Sequence, residues 1–160
     1  MTTSTVSETI VSVLENIVFL KKTQIFSALH TYDIKAVAEI AEELTFRDNQ
    51  RIVKENDLGD SMYLIKSGTV RISKMIDEKN AIDLAELGAG DCFGDMSVFD
   101  AEVRSASVYA QNECVLLRIN GTDLIDVILE CPHIAIELLK IFIQRLRKAN
   151  KAIQELSSAG

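Results

Sequence analysis

The chain has 160 residues, 48% of them hydrophobic and 26% charged, so it is long enough to bury one core and is read as a single domain spanning 1–160. The net charge of −7 excludes a general nucleic-acid binder, which needs a basic face to displace counterions. Three cysteines without a CxxC pair point to a reducing, cytoplasmic setting, with each thiol a small buried side chain.

In chain order, the first zone (6–44) is helical. Val6, Ile10, Val13, Leu14, Ile17 and Val18 recur at three- and four-residue spacing. The apolar stretch at 10–20 is too short to span a bilayer and contains Glu15, and no basic leader precedes it, so neither membrane insertion nor a signal peptide is expected. FLKKTQIFSAL (19–29) reads as short helical turns. Ile34, Val37, Ala38, Ile40, Ala41 and Leu44 predict a helix over 32–44, with Thr31 as its N-cap and Asp33 in the first turn.

The second zone (45–119) reads as strands: LTFRD, RIVKEN, MYLIKS, TVRISKMI, AIDLAEL, VRSASVYA and CVLLRI, separated by Gly, Asn and Asp turn signals. Strands this short at this spacing predict a barrel or sandwich. MYLIKSGTVRIS reads as a tight hairpin turning at Gly68. The third zone (122–156) returns to helices: a short one over 122–130, then a long one with Pro132 in its first turn. From Leu139 the apolar residues step by 3, 4, 3, 4, 3 through Phe142, Leu146, Ala149 and Ile153 to Leu156. This heptad seam predicts that the first half of the helix packs on the barrel. The second half, Leu146, Ala149, Ile153 and Leu156, is left for another helix, as in a homodimer. Arg145, Arg147, Lys148 and Lys151 are assigned to its solvated side.

Catalytic signals are sparse. The two histidines, His30 and His133, both lie outside the strand zone, and HExxH, GxSxG and Walker patterns are missing. Neither an enzyme nor a metal or other cofactor is expected. The informative stretch is FGDMSVFDAEVRSASVYA (93–110). Gly94 permits close backbone approach, and Asp95 to Phe99 fit one helical turn. Arg104 opens a β-like run on the same face as Ala106, Val108 and Ala110. A buried guanidinium needs an anionic partner, and a phosphate matches its planar fork. From the residues alone a phosphate site stays open beside two internal alternatives: Asp95 as an N-cap, and Arg104 paired with Asp95 or Asp100.

This stretch resembles the phosphate-binding cassette of cyclic nucleotide-binding domains, in which Phe-Gly-Glu, a short helix and Pro-Arg-Ser/Ala-Ala-Thr/Ser-Val follow one another. ENDLGDSMYLIKSGTVRI (55–72), with Gly59, Asp60, Tyr63 and Gly68, and VFLKKTQIFSAL (18–29) extend the likeness over about 15–156. The resemblance implies an α+β fold: an eight-stranded antiparallel β-roll of jelly-roll type, flanked by N-terminal helices and a long C-terminal helix. It implies a regulatory module for cAMP or cGMP. Arg104 would meet the cyclic phosphate, Asp95 the ribose hydroxyl, Gly94, Met96 and Ser97 would cradle both, and Ser105 would touch the phosphate. The C-terminal helix would relay binding to a fused or partner effector domain. Two departures stand out: Asp95 replaces Glu and is one methylene shorter, and Val103 replaces Pro. The competing expectation is a ligand-free interaction or dimerisation module of the same fold.

Overall fold

The computed structural model describes residues 3–160, with side chains from residue 5; residues 1 and 2 of the expected domain lie outside the described residues. Two helices open the chain, α1 (Thr3–Leu20) and α2 (Thr31–Ile40). Eight antiparallel strands follow: β1 (Glu42–Phe46), β2 (Arg51–Val53), β3 (Ser61–Ser67), β4 (Val70–Met75), β5 (Ala81–Leu87), β6 (Cys92–Phe93), β7 (Ser107–Ala110) and β8 (Cys114–Asn120). A single turn, α3 (Ser97–Asp100), interrupts them, and α4 (Gly121–Glu130) and α5 (His133–Ser158) close the chain. The strands form two four-stranded sheets, ordered β1-β8-β3-β6 and β2-β7-β4-β5.

The cores follow from the burial of β3, whose first five residues are all buried. Alternate residues of a strand face opposite ways. Tyr63 and Ile65 therefore enter the roll interior with Val70, Phe93, Val108, Ala110, Cys114 and Leu116. Met62 and Leu64 face a second core built by the helices, with Leu20, Phe26, Leu29, Ile34, Val37, Leu124, Ile134 and Leu138. The sheet β1-β8-β3-β6 is thus covered on both faces, and its outer face is the floor on which the helices sit.

Three local expectations change. β3 and β4 do not form a hairpin: β3 pairs with β8 and β6, and β4 pairs with β7 and β5. Gly68 (φ +87°) instead carries the chain from one sheet to the other. There the Asn112 side chain accepts from the Thr69 amide at 2.9 Å, and an added Cβ would stand 2.5 Å from the Glu113 carbonyl oxygen. Second, α2 ends at Ile40, and Leu44 belongs to β1, paired with Leu116. Its N-cap is His30 rather than Thr31, because the His30 carbonyl already accepts from the amides of Asp33 and Ile34. Third, β7 begins at Ser107, so Arg104 and Ser105 precede the regular strand.

Asn120 caps α4 by accepting from the amides of Thr122 and Asp123. His133, the first residue of α5, bonds through Nε2 to the buried Asp33 carboxylate of α2 at 2.5 Å, which pins the start of α5 to the N-terminal helices. No residue of α5 after Ile141 is buried, so its C-terminal half projects. Among the described residues, no helix is long and apolar enough to cross a membrane.

Leu64 joins the floor of the helical core and is completely buried. Leu64→Ala is expected to lower unfolding free energy by about 2–5 kcal/mol in a urea titration; a loss under about 1 kcal/mol contradicts this packing.

Candidate ligand site

The backbone of Arg104 is clamped before its side chain is placed. Its amide donates to the Asp57 carbonyl at 2.7 Å, and its carbonyl accepts from the Asn56 amide at 2.9 Å. Asn56 holds φ at +69°, a left-handed conformation that asparagine tolerates. Leu58 and Val103 form an isolated antiparallel bridge beside it. These contacts send the guanidinium into the roll interior, where Arg104 is 6% exposed.

Its surroundings are incomplete. Nη2 donates to the Ser61 carbonyl at 2.6 Å. Cζ lies 5.9 Å from the Tyr63 ring centroid, and that ring stacks on Phe93 at 5.1 Å. Nη1 is buried without any hydrogen-bond partner, the one such side-chain atom among the described residues. Neither Asp95 nor Asp100 pairs with Arg104, so the internal ion pair read from the sequence fails. A buried charged donor left unpaired is costly, by about 1–3 kcal/mol or more. An anion or a strong acceptor is the chemistry that would satisfy Nη1.

Two glycines make room for this. Gly94 holds φ at +75°, and a Cβ there would stand 2.9 Å from the Ser61 carbonyl oxygen and collide with Nη1. A Cβ on Gly59 would come within 2.9 Å of Arg104 Nε and 2.6 Å of Ser97 Cβ.

Gly94, Asp95, Met96, Ser97, Arg104 and Ser105 all line one cleft of about 330 Å³. Its remaining wall includes the apolar side chains of Val53, Ile72, Phe93 and Val108. The cleft therefore combines a polar end at Arg104 with an apolar wall contributed by both sheets. Ser105 presents an exposed side chain while its carbonyl accepts from Lys74 Nζ at 2.7 Å. The short helix has Met96, not Asp95, at its N-cap.

Asp95 is engaged elsewhere. Its Oδ2 accepts from Arg145 Nη1 of α5. Arg145 Nη2 also lies 3.5 Å from Cys92 Sγ. Burial, joined by the Asp95 charge, pushes the Cys92 thiol above its ordinary pKa, so the thiol stays neutral beside the Asp95–Arg145 pair. Arg145 is thus not on the solvated side of α5. The signal lay in its register: Arg145 falls between Phe142 and Leu146 at the edge of the apolar stripe, whereas Lys148 and Lys151 point away from it. Phe99 of α3 meets Phe142 of α5 edge-on at 6.2 Å. The carboxylate at the cleft and the long helix are therefore joined by an ion pair and an aromatic contact. Of the seam residues, Leu146, Ile153 and Leu156 are each more than 60% exposed, and Ala149 is exposed with them.

Sequence reasoning did not find the Ser61 carbonyl, Cys92 or the Asp95–Arg145 pair. Ser61 acts through its backbone, which no side-chain pattern encodes.

The fold that carries this cleft is one that known proteins share. The family model described as the cyclic nucleotide-binding domain matches residues 43–131. The "Cyclic AMP receptor protein" of Thermus thermophilus is 30% identical over 138 residues, covering 86% of this chain and 64% of that protein. The "cAMP-dependent protein kinase type II regulatory subunit" of Drosophila melanogaster is 31% identical over 98 residues, 61% of this chain and 26% of that one. The crystal structure of the N-terminal domain of a transcriptional regulator from Streptomyces coelicolor superposes with a TM-score of 0.76 at 28% identity, covering 84% of this chain and 94% of that chain. The chain spans less than two thirds of the length of these two curated relatives.

If the orphaned Nη1 awaits an external ligand, Arg104 contributes little to the empty fold. Arg104→Met is then expected to leave unfolding stability within about 1 kcal/mol of wild type or to raise it, read by thermal or urea denaturation without ligand. A loss above about 2 kcal/mol would assign Arg104 a purely structural role.

Proposed function

The chain belongs to the cyclic nucleotide-binding domain family, and on that basis we propose that it is a regulatory module that binds cAMP or cGMP and relays occupancy through α5. The observation that carries this reading is the buried, unpartnered Nη1 of Arg104 at the end of an open cleft. A cyclic phosphate supplies two oxygens to a guanidinium that has one nitrogen free and one held by Ser61. The small backbone at Gly94 lets that phosphate sit against the chain.

Asp95 is the proposed ribose ligand, and its shorter side chain is offset by how it is held. Oδ2 belongs to Arg145, and Oδ1 makes no hydrogen bond within the described residues. Asp95 therefore has one oxygen for α5 and one for a sugar hydroxyl. Nucleotide binding and the position of α5 are two demands on one carboxylate, which is the coupling a relay requires. The apolar wall of Val53, Ile72 and Val108 suits the rest of the sugar and the base. The proposed chemistry is recognition alone: no catalytic step is assigned to these residues. The output of the relay is a fused or partner effector domain, in a cytoplasmic setting.

A homodimer through α5 is part of this reading, supported by the exposed stripe of Leu146, Ala149, Ile153 and Leu156. The ligand-free alternative requires Arg104 to be satisfied internally, and the orphaned Nη1 speaks against it.

Isothermal titration calorimetry with each nucleotide is expected to show saturable binding, weakened about 10–150-fold by Arg104→Ala, the equivalent of losing a charged hydrogen bond of about 1.5–3 kcal/mol. No heat from wild type at millimolar nucleotide would overturn the proposal. For the relay, amide hydrogen exchange along α5 is expected to change on adding nucleotide to wild type. In Arg145→Ala this response is lost while binding persists, with affinity altered by the about 5–150-fold typical of a coupled site. Identical α5 exchange with and without nucleotide in wild type would remove the relay.

A further inference from the structure

The segment that follows Arg104 is held by two different elements. On one side, the Asn56 amide donates to the Arg104 carbonyl at 2.9 Å, and the Glu55 amide donates to the Ser107 hydroxyl at 2.9 Å. Between these two ties, the Ser105 carbonyl turns to the other sheet strand and accepts from Lys74 Nζ of β4 at 2.7 Å. Lys74 is itself placed. A lysine stem is flexible and its three donors rotate, so one carbonyl alone does not fix it. Glu55 supplies the second partner: its Oε1 lies 3.5 Å from Lys74 Nζ, while its Oε2 accepts from the Met75 amide at 2.9 Å. The Glu55 side chain is largely buried and that of Lys74 is about half exposed.

What this tie fixes is the sense of one peptide. The C=O and N–H of a trans peptide point opposite ways. With the Ser105 oxygen turned to Lys74, the Ala106 N–H is turned from it. Ala106 is buried and lines the cleft beside Arg104 and Ser105. Among the described residues, neither the Ser105 amide nor the Ala106 amide has a hydrogen-bond partner. Buried amides are almost always paired. This peptide therefore has its acceptor committed and its donor free, which is the polarity that an anion at Arg104 needs. Turned over, the same peptide presents an oxygen and repels the anion.

We propose that Lys74 is a positioning residue for the bound phosphate: through the Ser105 carbonyl, and held in turn by Glu55, it sets the peptide between Arg104 and β7 so that its amide faces the ligand. This rests on the nucleotide reading of the preceding section and adds to it a pair of residues that lie outside the 93–110 stretch. Lys74 acts through the peptide and not by touching the ligand.

Calorimetry on the 160-residue chain tests it with cAMP, cGMP and the Sp and Rp phosphorothioates of whichever nucleotide binds, in which sulfur replaces one or the other exocyclic oxygen. Lys74→Met is expected to weaken nucleotide binding about tenfold and to change the Sp-to-Rp affinity ratio by about threefold or more, the size of coupling found within one hydrogen-bond network. Lys74→Arg keeps a charged donor for the carbonyl and is expected to restore both. Glu55→Gln is expected to weaken binding in the wild-type background and to add nothing in Lys74→Met. Thermal unfolding without ligand is expected to be unchanged in both Lys74 variants. Wild-type affinity and ratio in Lys74→Met overturn the inference. Equal weakening of all ligands with the ratio unchanged also overturns it, and assigns Lys74 to long-range charge attraction. So does a loss in Lys74→Arg as large as in Lys74→Met. A wild-type chain that takes up neither nucleotide at millimolar concentration fails at an earlier step: it removes the nucleotide reading and this inference with it.

Discussion

Everything at the cleft depends on burying one guanidinium that the chain itself does not satisfy. Arg104 is fixed by its backbone to the segment 56–57 and reaches inward past Tyr63. One nitrogen finds the Ser61 carbonyl and another finds nothing. A buried cation is ordinarily paired, and removing its partner costs several kcal/mol. A fold that retains such an unpaired group gives up stability for it, a cost that the proposed anionic ligand would offset. Gly59 and Gly94 fit this account, since each leaves out a Cβ that would press on the arginine.

The second constraint is geometric. The sheet β1-β8-β3-β6 is sandwiched between the roll interior and the helices, so β3 belongs to both cores at once. Ser61, at the start of β3, holds Arg104, while Met62 and Leu64 hold the helical layer. Asp95 adds a shorter path, because Arg145 brings α5 directly onto the cleft. Phe99 against Phe142 reinforces that contact. In contrast, the anchoring of α5 at its other end, His133 on Asp33, involves no residue of the cleft. The helix is therefore pinned at its start and tethered at its middle to a carboxylate that lines the cleft. Its remaining length is free to engage a neighbour.

Much of this was legible from the residues, and the failures are instructive. The fold class and the eight-stranded roll came from the family resemblance carried by 93–108 and 55–72. Strand length and spacing alone reached no further than a barrel or sandwich. The hairpin at Gly68 was misread because period-two patterning says which residues share a face, not which strands pair. β3 and β4 carry the right pattern for a hairpin but lie in different sheets. The two-residue β6 is too short to leave a pattern at all. Arg145 was assigned to solvent because it sits in a run of basic residues, and its place at the stripe edge was outweighed by that company. The Ser61 carbonyl had no sequence signal.

The most direct test is a crystal structure of the chain grown with millimolar cAMP or cGMP. The account predicts a cyclic phosphate oxygen about 2.7–2.9 Å from Arg104 Nη1, with a ribose hydroxyl on Asp95 Oδ1. A nucleotide bound elsewhere, or an Arg104 Nη1 still without a partner beside a bound nucleotide, would contradict it.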